Sequence, residues 1–195
     1  MFDYLTDLYN DFMFASESRD AFSLQVLISI AYLLALALSI YRAHKNRELF
    51  SDFLSIAVVV TKYMLTTLLM EHVLMYIQSS HAVGNAQNVY LALCSFSLLS
   101  MYVLYKLHTR FSYQYGNLFF CVMKLSTLLA VAHFVIWFKF VVLDIQSAHA
   151  WVHYLYSSTV LYISIALAIA MLFPDVLRTR LGCIIGLYLP RGRDD

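Results

Sequence analysis

Residues Asp52–Gln78 read DFLSIAVVVTKYMLTTLLMEHVLMYIQ. The stretch exceeds the ~20 predominantly apolar residues that a helix needs to cross a bilayer. Yet it carries Lys62, Glu71 and His72 at depths where lipid would lie. On insertion scales a charge there costs about 2.5–3.5 kcal/mol, so each of these residues needs a partner, a cavity or a task.

Outside this stretch the rest of the chain has the same character. It has 195 residues, 62% hydrophobic and 13% charged, too few polar side chains to cover a water-soluble domain. The apolar residues fall in long runs rather than in amphipathic stripes. Spans are expected at about 21–41, 54–78, 89–107, 116–143 and 151–173, the last stopped by Pro174 and Asp175. Residues 1–19 carry Asp3, Asp7 and Asp11 among Phe, Tyr and Leu, and read as an amphipathic segment at the interface, with no cleavable leader. Residues 20–175 form the bundle and 176–195 a basic tail.

Basic residues set the expected topology. Arg42, Lys45 and Arg47 follow the first span, Lys106 and Arg110 the third, and Arg178 and Arg180 the fifth. The links after the second and fourth spans lack Lys and Arg. The positive-inside bias then places the N-terminus outside and the C-terminus in the cytoplasm. Trp137, Trp151, Tyr76 and Tyr154 would form an aromatic belt at the outer boundary. The expected fold is all-α: a polytopic helical membrane protein with five transmembrane helices. Neither proline nor a GxxxG pair interrupts the spans, so packing should rest on Ser, Thr and Ala faces such as Ser95, Ser97 and Ser100.

An internal echo runs through the chain. Tyr41-Arg42-Ala43-His44 is matched by Tyr105-Lys106-Leu107-His108, Lys62 by Lys124, and His72 by His133. A duplicated helical hairpin with a fifth helix added would produce it, and so would chance resemblance between apolar segments.

Lys62 and Glu71 are nine residues apart, as are Lys124 and His133. Nine residues are two and a half helical turns, so each pair occupies opposite faces. The second and fourth helices should therefore be central, or should meet another subunit. Lys62, Glu71, His72, Lys124, His133 and Lys139 are the candidates for a polar path or titratable relay. Salt-bridged locking of the bundle, with Lys62 and Lys124 snorkelling to the inner headgroups, is the structural alternative. The basic inner residues Arg42, Lys45, Arg47, Lys106, Arg110, Arg178 and Arg180 are candidates for lipid or for a soluble cytoplasmic partner.

Other chemistry finds little support. Cys94, Cys121 and Cys183 are scattered and form no CxxC. No GxSG, HExxH or Gly-rich phosphate loop occurs. The net charge of +1 offers nothing to nucleic acid. Paired histidines, His72 with His133 or His44 with His108, raise a bis-His haem b alternative, set against helices that lack the glycine a macrocycle needs for close approach. The expectation is a non-enzymatic bacterial inner-membrane protein without metal or cofactor, oligomeric, acting as a small channel or membrane-sensing subunit. A subunit that recruits a soluble effector, as in anti-phage defence or stress systems, is the other expectation.

Overall fold

The computed structural model describes residues 24–45, 49–80, 87–112, 114–143 and 151–179, and for 24–25, 71–80 and 178 the backbone alone. The expected segments 1–19 and 180–195 lie outside the described residues. So do Arg47, Asp144, His149, Arg180 and Cys183, and so do the side chains of Glu71, His72, Tyr76 and Arg178.

Five long helices account for nearly all of the described chain: α1 Leu24–His44, α2 Phe50–Ser80, α3 Asn88–Phe111, α4 Asn117–Trp137 and α5 Trp151–Leu172. All five are long and apolar enough to cross a membrane. A π-helical turn, Phe138–Val142, prolongs α4, and a 3-10 turn, Pro174–Arg178, follows α5. Pro174 stands at the first position of that turn, where its missing N–H costs nothing.

The helices exceed the hydropathic spans at the basic end. α2 starts a turn before the expected 54, and α3 continues a turn past 107 to Phe111. Hydropathy marks where lipid contact would end, whereas a helix ends where its backbone is capped. The basic knot Lys106–Arg110 is therefore helical.

Contacts order the helices α1–α2–α3–α4–α5 around a ring that α5 closes against α1, with α2 also packed on α4. The bundle runs up and down. At the basic end the start of α2, the end of α3 and the start of α4 meet, because Ser51 bonds both His108 and Gly116. The ends of α1 and α5 also meet there, through Arg42. At the far end the start of α3 meets the end of α4, through Asn88 and Trp137.

α1 and α5 run parallel along a seam in which Ala35, Ser39, Ala166 and Ala170 are buried. Small side chains let the two backbones approach closely, the packing device expected from a chain poor in glycine. α4 is the most enclosed helix: 44% of its span is buried, against 22% for α2. Of the two helices expected to be central, α4 is enclosed, while α2 keeps a broad face outside the single chain.

The interior holds polar side chains beside its apolar core, and the outside carries many large apolar ones. Ser39, Ser51, Ser55, Ser97, His108, Ser126, His133 and Lys139 are buried. Leu33, Leu34, Leu68, Leu98, Leu99, Val131, Val135 and Leu155 are exposed. Contiguous apolar surface of this extent is foreign to soluble monomers. It is compatible with a multi-pass membrane protein.

Candidate functional site

The interior polar groups form levels along the bundle. At the basic end, His108 is wholly buried. Its Nε2 lies 3.0 Å from the Ser51 hydroxyl and 3.0 Å from the Ser51 carbonyl. Its Nδ1 lies 2.9 Å from the Leu104 carbonyl, and its ring packs against Tyr115 and Phe119. The Gly116 amide donates to the same Ser51 hydroxyl at 2.9 Å. A Cβ at Gly116 would meet the Asp52 carboxylate, so a larger residue in the 112–117 link would force that side chain to shift.

The middle level is Lys62. It lies twelve residues into α2, about 18 Å along the axis at 1.5 Å per residue. The helix runs on to Ser80, so Lys62 lies in its first half. Among the described residues, no hydrogen bond or carboxylate partner reaches its ammonium. On one side Lys62 borders a void of about 10 Å³ with Ser100, Leu104, Val122 and Ser126. On the other side it borders a lateral groove of about 380 Å³ between α2 and α3. Leu54, Val58, Leu65, Phe96, Leu99 and Val103 line most of that groove, and its polar side chains are Lys62, Thr61 and Ser100.

The third level is His133, buried on α4, with Nδ1 2.9 Å from the Tyr156 hydroxyl. Ser126, which borders the void beside Lys62, lies two turns before His133 on the same face of α4. Tyr90 packs edge-on against Tyr156, and His153 stacks beside it. Lys139, in the π-turn, is buried with its ammonium 5.1 Å from the Phe140 ring. π-turns inside α-helices recur at functional sites.

Of the path candidates, the structure thus brings Lys62 and His133 into one interior and places Lys139 near its far end. Lys124 is exposed on the outer side of α4. The echoed pairs do not share surroundings. Lys62 is half-buried and Lys124 exposed, while His108 is buried and His44 exposed. The echo therefore does not extend to equivalent environments.

The basic candidates divide as well. Arg42 turns inward and donates to the Leu172 and Met171 carbonyls at 3.2 and 3.3 Å, capping the end of α5. Lys45, Lys106 and Arg110 remain exposed, each beside an aromatic ring of its own helix. Both ring nitrogens of His108 lie within hydrogen-bond distance of protein oxygens, those of Ser51 and Leu104.

Sequence reasoning missed Ser51, Ser126, Tyr156 and the Tyr32–Tyr63 pair, and took Ser100 for a packing residue only. The two tyrosine rings are 4.6 Å apart, Tyr63 is bonded to Ser29, and Tyr32 donates to the Ser164 carbonyl. For Ser126 a signal existed, since it precedes His133 by seven residues and so shares its face. Among the described residues, no group of three His, Cys, Asp or Glu side chains could hold a metal ion.

The chain matches no protein-family model, no curated protein sequence and no solved structure. Function therefore has to be argued from this geometry alone.

Proposed function

We propose that the protein is a non-enzymatic, multi-pass inner-membrane protein of bacteria, with its N-terminus outside and its basic end in the cytoplasm, that works as a membrane-sensing subunit of an oligomer or complex. One observation carries this reading: Lys62 stands where a groove that opens sideways between α2 and α3 meets the polar interior of α2, α3 and α4. A cation within a span is costly, and a protein that keeps one at a lateral opening exposes it to what the bilayer contains. The interior void beside Lys62 is about 10 Å³, at most the size of a single water. Within one chain, then, the polar groups favour sensing over conduction. The exposed Lys45, Lys106 and Arg110 offer a cytoplasmic face to which an acidic soluble partner could bind.

The mass of the complex purified in mild detergent tests the subunit reading. It should exceed the 22.5 kDa of one chain, through further copies or a co-eluting soluble protein. A strictly monomeric particle with no companion would contradict it. A second reading, a pore formed between copies, draws on the exposed Lys124 face of α4. It predicts ion flux in liposomes that falls when Lys124 or Lys62 is replaced by methionine.

A further inference from the structure

We infer that the α2–α3 groove is a binding site for a single-chain amphiphile with an anionic head group, a long-chain carboxylic acid, whose head pairs with Lys62. The inference rests on the membrane-sensing reading and names what would be sensed.

The shape of the groove selects the occupant. Its lining runs from Leu54 to Leu65 on α2 and from Phe96 to Leu107 on α3. Eleven residues of rise make each wall about 16 Å long. The groove holds about 380 Å³ over that length. One polymethylene chain, touching carbon walls at about 4 Å, fits it. Two-chain lipids would leave one tail outside.

Charge selects the head. The groove is apolar except at Lys62, Thr61 and Ser100. Among the described residues, no carboxylate offsets the Lys62 ammonium. An anion supplied from the bilayer would do so, and in low dielectric the pairing is strong. A carboxylic acid reaches this depth as the neutral acid, and transfer of its proton to a Lys62 side chain that is there as the free amine gives the same carboxylate–ammonium pair. The Thr61 and Ser100 hydroxyls stand beside the same head position. A permanently charged monoacyl phosphate shares the head-and-tail chemistry but pays far more to reach this depth.

Photolabelling tests the assignment. The protein in phosphatidylcholine liposomes is exposed to palmitic acid bearing a diazirine on its tail, and adducts are mapped by mass spectrometry. Adducts should concentrate on groove residues such as Leu54, Val58 and Val103. They should fall at least fivefold in Lys62→Met, and equally in Ala57→Phe, which fills the groove without touching the charge. Lys124→Met should label like the parent. The diazirine analogues of hexadecanol and of monoacyl phosphate should label several-fold less. Equal labelling by hexadecanol, indifference to both groove variants, or cross-linking of the groove to a second chain in place of the lipid would overturn the inference. A dominant signal from the monoacyl phosphate would overturn the carboxylate assignment. Alkaline carbonate extraction separates the two levels of failure. Loss of the protein from the membrane defeats the functional reading, whereas a membrane-retained protein that ignores the probe defeats only the groove assignment.

Discussion

His108 illustrates how a single side chain can serve a role that its neighbours in the chain conceal. Between Lys106 and Arg110 it reads as part of a basic boundary, yet it is wholly buried and joins three helices through Ser51 and Gly116. Replacing it with leucine removes the side-chain hydrogen bonds that tie α3 to Ser51 of α2. That should cost about 2–3 kcal/mol, seen as a lower thermal midpoint in detergent. His108→Gln, which keeps a donor, should lose less. Gly116→Ala should destabilise by a similar route, because its methyl meets the Asp52 carboxylate. Lys62 should behave in the opposite sense. Among the described residues its ammonium has no partner, so Lys62→Met should raise the thermal midpoint in detergent, the usual mark of a residue kept for function at the expense of stability. A lower midpoint would mean that Lys62 fastens the bundle. These environments were beyond sequence reasoning because position in the chain fixes the face of one helix, not what packs against it. The nine-residue spacing did place Lys124 and His133 on opposite faces, and one proves exposed and the other buried.

At the scale of the element, the five helices and their order were legible, because an apolar run of about twenty residues admits few other structures. Their ends were not. α3 outruns its hydropathic span by a turn, and that turn carries His108 to Ser51. The parallel pairing of α1 with α5 was also hidden, since it joins the two ends of the chain through contacts such as that of Tyr32 with the Ser164 carbonyl. Arg42 closes that pairing over the α5 carbonyls, a contact no pattern of charge could distinguish from a surface arginine. Arg42→Ala should loosen the end of α5 at a cost of about 1–2 kcal/mol, measured as faster proteolysis near Phe173, with Arg42→Lys between the two. Topology is testable at the same scale. A cysteine in place of the exposed Lys45 should react with an impermeant maleimide only in inverted vesicles, and one in place of Trp151 only in intact cells.

For the whole molecule, the deciding feature is that large apolar side chains cover the outside while several polar groups are buried beside the apolar core. Ser126, His133 and Lys139 are buried while Leu34, Leu99 and Val131 face outward from α1, α3 and α4. A lipid environment removes the cost of that surface and gives the lateral groove its meaning. Spin labels at those three outward positions, in liposomes, test this most directly by comparing relaxation by oxygen, which partitions into lipid, with relaxation by a water-soluble nickel chelate. The account predicts oxygen-dominated relaxation at Leu99, beside the groove, and at no fewer than one of Leu34 and Val131, with any position shielded from both reagents marking a face covered by another chain. Nickel-dominated relaxation at all three positions would contradict it.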